Sequence, residues 1–199
     1  EFLVGEENPT DNWEVVKEDN FMARPYYRRV AKNPQSFAVL IGSHWAGSIG
    51  SLDWINSKSP IKISPDLYVV MILHEAFHAY QANTAPGRFA KATAVYAYEN
   101  RYPAKDKEFA AAWNNEGAAL SEALIAKDDA EVLLSVQTFL KIRETRRQKA
   151  GLSPDLLAYE RELEWLEGLA EFVEINFYEL AASRAGEAGF ARYRPGLHL

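Results

Sequence analysis

The chain has 199 residues, which is enough for one sizeable hydrophobic core, and we expect a single domain over residues 1–199. The net charge of -6 argues against a nucleic-acid-binding surface, and the absence of cysteine excludes disulfides, thiolate nucleophiles and cysteine metal ligands. No apolar run approaches the roughly 18 residues of a membrane span. The chain begins with Glu1 rather than Met, which favours a processed or trimmed product with an extracytoplasmic location, periplasmic or secreted.

The N-terminal part, residues 1–64, is expected to contain a small β-sheet. Prolines interrupt residues 1–36, which predicts short helices or irregular structure there. The apolar run Phe37–Ile41 and the segment Ile49–Ile55 are each bounded by turn-forming residues, as β-strands are. These two segments form the predicted sheet.

Helices are predicted for most of the remaining chain. The sequence Ser64-Pro65-Asp66 is a helix start, because serine caps exposed amides, proline fits the first helical position and aspartate complements the helix dipole. This helix is predicted over 65–82, and the segment 83–103 mixes helical stretches with breaks beside a cleft. Residues 104–199 are predicted to hold three further helices, over 105–126, 129–150 and 154–184. The predicted fold class is therefore α+β and predominantly helical.

The first of these helices carries a specific chemical motif. His74 and His78 are four residues apart, with Glu75 beside the first, in the pattern HExxH. Residues four apart share a helix face, so both imidazoles can bind one cation while Glu75 reaches toward an open coordination position. A pair of ordinary core histidines is less favoured, because burying two imidazoles and a carboxyl without a strong partner is costly. Nitrogen and oxygen ligands without thiolate suit Zn²⁺, although nickel, cobalt, copper or iron bind similar ligands in vitro.

A catalytic zinc ion needs a third protein ligand and an open position for water. The metzincin continuation HExxHxxGxxH is absent, because Gln81 and Thr84 stand where glycine and histidine would, so a carboxylate is the natural choice. One face of the last predicted helix carries four acids, namely Glu160, Glu164, Glu167 and Glu171. A solvated face is predicted for the first two. Apolar neighbours predict a buried setting for the last two, with Gly168 allowing close helix packing.

With HEAFH at 74–78 and EGLAE at 167–171, the chain resembles the gluzincin zinc peptidases, which pair HExxH with a downstream glutamate ligand. The resemblance implies a zincin-like fold, in which a small N-terminal sheet packs on the active-site helix, and Zn²⁺ as the cofactor. It makes Glu167 the third zinc ligand and Glu171 the acceptor that orients a histidine. Glu116 also precedes a glycine on a predicted helix and lies closer to HExxH in sequence, so it is the alternative third ligand.

The functional hypothesis is a zinc-dependent hydrolase, a peptidase, acting on a peptide or protein substrate. Zinc would lower the pKa of a bound water from about 16 toward about 7, and Glu75 would act as the general base. His44, Tyr178 and His198 are candidate oxyanion donors, and the predicted strands over 37–55 offer an edge for substrate backbone. The alternatives are an inactive peptidase-like binding domain, a structural metal-binding domain, or a zinc hydrolase of another amide or an ester.

Overall fold

Helices form most of the structure, as the sequence predicts. The computed structural model describes residues 2–4, 12–16, 26–30, 36–41 and 43–185. Within these residues the strands are β1 (Phe2–Val4), β2 (Glu14–Val15), β3 (Tyr26–Arg28), β4 (Phe37–Ile41) and β5 (His44–Ser48). The helices are α1 (Leu52–Lys58), α2 (Pro65–Thr84), α3 (Pro86–Ala94), a 3₁₀ helix (Val95–Arg101), α4 (Lys107–Ile125), α5 (Asp129–Lys149) and α6 (Pro154–Ala185).

The first three strands form an antiparallel sheet in the order β1-β3-β2. Tyr27 is its central residue, since it lies opposite Leu3 on one side and Val15 on the other, and it is buried. The expectation of short helices or irregular structure over residues 1–36 is wrong for these strands. Aromatic and β-branched residues favour extended backbone, and the prolines on which the expectation rested lie outside the described residues.

The second sheet is the antiparallel pair β4 and β5. β4 coincides with the first predicted strand, but the strand predicted over Ile49–Ile55 is wrong. The chain returns earlier, as β5, and helix α1 begins at Leu52. Ser51 caps α1 by accepting a hydrogen bond from the amide of Trp54. The helix-start signal therefore prevails over the apolar pattern.

Helix α2 carries the HExxH motif and begins where the sequence predicts. Pro65 is its first residue, and the Ser64 side chain accepts a hydrogen bond from the amide of Leu67. The helix ends at Thr84, two residues beyond the predicted end. Both strands of the second sheet lie against it, so a small sheet does pack on this helix.

Only part of the α2 surface is buried. Its buried residues include Glu75 and His78, whereas Val69 and Ile72 are 43% and 39% exposed. The buried face is the one that bears the motif, so packing restrains the motif side chains.

The structure divides into two compact units. The first comprises Glu1–Lys91 and Glu164–Leu199, and the second comprises Ala92–Leu163. Helices α4, α5 and α6 agree with the three predicted helices to within two residues at each end. In the second unit, α4 and α5 pack against each other. Among the described residues, no helix is both long enough and apolar enough to cross a membrane.

Candidate metal centre

His74, His78 and Glu167 converge in the first unit. The Nε2 atoms of the two histidines are 3.1 Å apart, and Glu167 Oε2 lies 3.4 Å from His74 Nε2 and 3.3 Å from His78 Nε2. Zinc binds such atoms at about 2.0 to 2.2 Å, and tetrahedral ligands at that distance stand about 3.3 to 3.6 Å apart. The two distances to Glu167 match this spacing and the distance between the histidine nitrogens is slightly shorter, so the three atoms can share one ion of this size after a small shift.

The far nitrogens of both rings make hydrogen bonds that fix which nitrogen carries the proton. Nδ1 of His74 lies 3.0 Å from Glu174 Oε2, and Nδ1 of His78 lies 2.9 Å from Gln81 Oε1. Because both partners accept, each Nδ1 carries a hydrogen and each Nε2 presents a lone pair. Two lone pairs and the Glu167 carboxylate thus face one point, which is an arrangement that calls for a cation.

A proton serves as that cation in the metal-free protein. Hydrogen bonds to Glu167 and Glu174 raise the pKa of His74 to about 10, and burial opposes this shift less strongly. A divalent metal ion would satisfy all three ligands at once, and its binding would displace this proton.

The residue that orients His74 is Glu174, whereas the sequence resemblance implied Glu171. Glu171 lies nearby, with its ligand atom within 4.8 Å of those of His74 and Glu174, and burial raises its pKa. The sequence contained the spacing that was needed to identify Glu174. Positions 167, 171 and 174 follow the i, i+4, i+7 spacing of one helix face, so the face that carries Glu167 and Glu171 also carries Glu174.

Gln81 is a buried residue whose role the sequence reasoning missed. Its Nε2 donates to the backbone oxygens of Trp165 at 3.0 Å and Leu166 at 3.1 Å, while its Oε1 accepts from His78. It lies three residues after His78, which places it next to that histidine on the helix. Gln81 therefore joins α2 to the part of α6 that bears Glu167.

Glu75 is buried beside the two histidines. Its Oε2 has no hydrogen-bond partner among the described residues. Burial raises the pKa of Glu75, and the neighbouring His78 and His74 act in the opposite direction. A buried carboxyl with an available oxygen and a raised pKa is suited to proton transfer.

Strand β5 touches the helix backbone at this point. A Cβ atom placed on Gly47 would lie 2.7 Å from the amide nitrogen of Ala76 and 2.8 Å from the carbonyl carbon of Glu75. Only glycine permits so close an approach. Gly47 therefore holds the strand directly against the turn of α2 that carries Glu75.

Aromatic rings support His78 from the side of the second sheet. The ring of Phe37 is 4.8 Å from the imidazole and 5.6 Å from Phe89, and Trp45 contacts Phe89 edge-on at 5.2 Å. Asn83 holds Trp45, because its Nδ2 donates to the Trp45 carbonyl at 3.2 Å. These contacts limit how far the His78 ring can turn.

The structure places Glu116, the alternative third ligand, in the second unit. It is 3% exposed, and its two oxygens accept from Arg143 Nε at 2.6 Å and Arg146 Nε at 2.9 Å. Both oxygens are therefore engaged by guanidinium groups. Of the two sets of potential ligands found among the described residues, neither includes Glu116.

Glu160 is also part of this second-unit cluster, and the prediction that it lies on a solvated face is wrong. It is 2% exposed and accepts from Arg146 Nη1 at 2.5 Å, Arg147 Nε at 2.6 Å and the Tyr102 hydroxyl at 2.6 Å. Burial would raise the pKa of Glu160, but these hydrogen bonds together lower it below its ordinary value. Glu164 is exposed, as predicted.

The remaining sequence candidates take varied positions. His44 is exposed, with Nδ1 3.1 Å from Ser43 Oγ. Tyr178 is buried one helical turn after Glu174, and His198 lies outside the described residues. Gly168 is exposed and a Cβ atom there would meet nothing within 4 Å, so the expectation of close helix packing at this glycine is wrong.

Comparisons with protein-family models, with curated proteins and with solved structures find no match. The geometry of the site is therefore the basis for assigning a function.

Proposed function

We propose that this chain is a zinc-dependent hydrolase of amide bonds, a peptidase of the gluzincin type with a zincin-like fold. The observation that carries the proposal is the convergence of His74 Nε2, His78 Nε2 and Glu167 Oε2 at mutual distances of 3.1 to 3.4 Å. Three protein ligands leave the fourth position of a tetrahedral zinc ion for water or substrate.

A catalytic role fits the surroundings of this site better than a structural one. A structural zinc site closes with four protein ligands, and the set that contains both histidines has three members among the described residues. The side chain of Glu167 is 40% exposed, whereas that of His78 is 1% exposed. The ligands are therefore anchored on one side and open to solvent on the other.

The protein's own groups have distinct roles in the proposed reaction. A bound zinc ion supplies Lewis acidity, which makes water a better nucleophile and polarises the carbonyl of the substrate. Glu75 accepts the proton of the attacking water and returns it to the leaving amine. Glu174 and Gln81 hold the Nδ1 hydrogens, so that both Nε2 lone pairs remain directed at the ligand position.

The second sheet suggests how a peptide would bind. In the part of the chain that the structure describes, β5 pairs with β4 alone, and its Gly47 lies against the backbone of Glu75 and Ala76. An extended peptide can add to a free strand edge through backbone hydrogen bonds. Such a peptide would run close to the helix turn that holds the general base.

Metal analysis combined with a peptide-library cleavage assay tests the proposal. The wild type should retain zinc and cleave peptides. Glu75→Gln should retain zinc but lose about 10²- to 10⁴-fold in turnover, because only the proton acceptor is removed. Glu164→Gln, at an exposed position on α6, is the matched control and should behave as the wild type. Equal turnover by wild type and Glu75→Gln would exclude Glu75 as the base.

The third ligand is tested by a pair of variants. Glu167→Ala should lose metal, because it removes one of three ligands. Glu116→Ala should keep it, because Glu116 is bound by arginines. Loss of metal from Glu116→Ala with retention in Glu167→Ala would reverse the assignment.

A further inference from the structure

The orientation of the Gln81 amide follows from its three hydrogen bonds. Both acceptors at its Nε2 are backbone carbonyls, of Trp165 and Leu166, so the nitrogen end of the amide must face α6. The oxygen end then faces His78 Nδ1 at 2.9 Å. Since this oxygen can only accept, the hydrogen of the His78 ring is held on Nδ1.

The two carbonyls that Gln81 binds belong to the residues immediately before Glu167. A displacement of this turn of α6 would move Glu167 away from the two imidazoles. Gln81 is 3% exposed, so water has little access to replace its bonds. One side chain thus contacts both a proposed ligand and the backbone that positions another.

We infer that Gln81 is a positioning residue that fixes the tautomer of His78 and, at the same time, the distance of Glu167 from the histidine pair. The inference rests on the proposed metal site. Loss of Gln81 should weaken metal binding even though Gln81 does not itself touch the ion, because ring orientation and ligand spacing would both relax.

The amide suits this position better than a carboxylate would. Glutamate at 81 would keep an acceptor for His78 Nδ1 but would turn a second oxygen toward two carbonyl oxygens, which repel it. His74 differs, because its partner Glu174 is a carboxylate. The two histidines are therefore oriented by chemically different groups: Glu174 lies on α6 itself, whereas Gln81 lies on α2 and binds the backbone of α6 through its side chain.

The test compares Gln81→Met, Gln81→Glu and Asn56→Ala with the wild type. Methionine has a similar length and makes none of the three hydrogen bonds. Asn56 is the matched control, because its amide also joins a helix to another segment, donating to the Ile63 carbonyl at 3.0 Å and accepting from the Ile63 amide at 2.7 Å, without bonding to a proposed ligand. Zinc affinity is measured by competition titration, ligand geometry by the visible absorption spectrum of the Co²⁺-substituted protein, and stability by thermal unfolding.

Gln81→Met should bind zinc about 10- to 100-fold more weakly and change the Co²⁺ spectrum. Gln81→Glu, which keeps the acceptor, should recover part of the affinity. Asn56→Ala should leave affinity and spectrum unchanged even if it unfolds at a lower temperature. Wild-type affinity and spectrum in Gln81→Met, or an equal loss in Asn56→Ala, would overturn the inference. If Gln81→Met does not fold, a Gln81→Glu protein as tight as the wild type, with an unchanged spectrum, overturns the part concerning Glu167. Absence of zinc from the wild type would instead remove the proposed function.

Discussion

Each unit contains a cluster of charged and polar side chains, and the two clusters differ in their partners and in their burial. In the second unit, Glu116 and Glu160 accept hydrogen bonds from Arg143, Arg146 and Arg147, and we call this the arginine cluster. The positive charge of the three guanidinium groups exceeds the negative charge of the two carboxylates by one. The protein itself therefore supplies all the positive charge that these buried acids require.

In the first unit, His74, His78, Glu167 and Glu174 form what we call the histidine cluster. Its imidazole lone pairs and carboxylate meet at one point, which a proton or a metal ion from solution could occupy. One helix, α6, contributes Glu160 to the arginine cluster and Glu167 to the histidine cluster. The two glutamates therefore face different partners, which are guanidinium groups for Glu160 and imidazoles for Glu167.

Matched glutamine substitutions should separate the two clusters most strongly. Glu160→Gln should cost about 3 to 5 kcal/mol of unfolding free energy, because it leaves buried Arg146 with less compensation. Glu167→Gln should cost no more than about 2 kcal/mol in the metal-free protein, since its side chain is 40% exposed and its hydrogen bond to His74 is partly solvated, yet it should weaken metal binding. Urea unfolding with chelator present, followed by zinc titration, measures both. Similar losses of stability in the two variants would mean that Glu167 also has a mainly structural role.

The long helices were predictable because their signals are local. Ser64 and Pro65 mark the start of α2, and the last three helices begin and end near the predicted residues. The prediction of a strand over Ile49–Ile55 failed because Ser51 caps a helix that begins inside this segment. The small strands of the first sheet depend on pairing with distant residues, which no local pattern contains.

Helical spacing places His74 and His78 on one face of α2, whereas Glu167, on α6, was indicated by the resemblance. The sequence indicated that His74, His78 and Glu167 act together, and the structure brings them together. It could not indicate that Glu160 is neutralised, because Arg146 and Arg147 come from α5. Glu160 and Glu167 lie on one face of α6, and the sequence of that helix alone does not distinguish their environments. The residues that pack against each of them do.

The carboxylates beside the proposed metal ligands provide a second comparison, within the histidine cluster. Glu174→Gln should weaken zinc binding about 10- to 100-fold, because a neutral amide is a poorer acceptor for His74 Nδ1 than a carboxylate. Glu171→Gln, one turn earlier on α6, is the matched control and should change affinity by less than about threefold, since its carboxyl makes no hydrogen bond within the described residues. A greater loss from Glu171→Gln would restore the role that the sequence resemblance assigned to it.

The pH dependence of stability should have opposite signs for the two clusters. In the metal-free protein the pKa of His74 is raised to about 10, so its contribution is complete below about pH 6.5 and is lost as the pH rises toward 10. The pKa of Glu160 is lowered, so its contribution is present above about pH 4.5 and is lost as the pH falls. Each slope is at most about 1.4 kcal/mol per pH unit for one proton.

Urea unfolding across pH 3 to 10 with chelator present, on wild type and two variants, measures these slopes. Glu174→Gln should reduce the alkaline loss and Glu160→Gln the acidic loss. If Glu174→Gln instead changed the acidic loss, or Glu160→Gln the alkaline loss, the assignment of the two titrations to separate clusters would fail.

One glycine beside each cluster provides the comparison with the smallest expected effect. Gly117 follows Glu116 in α4, and a Cβ there would meet nothing within 4 Å, so Gly117→Ala should stabilise the protein by about 0.5 to 1 kcal/mol through helix propensity. Gly47→Ala should destabilise it by about 1 kcal/mol or more and weaken zinc binding, because the methyl group would displace β5 from the backbone of Glu75 and Ala76. Thermal unfolding and zinc titration distinguish the two. Equal stabilisation and unchanged zinc affinity in both variants would show that β5 does not hold the turn of α2 that carries Glu75.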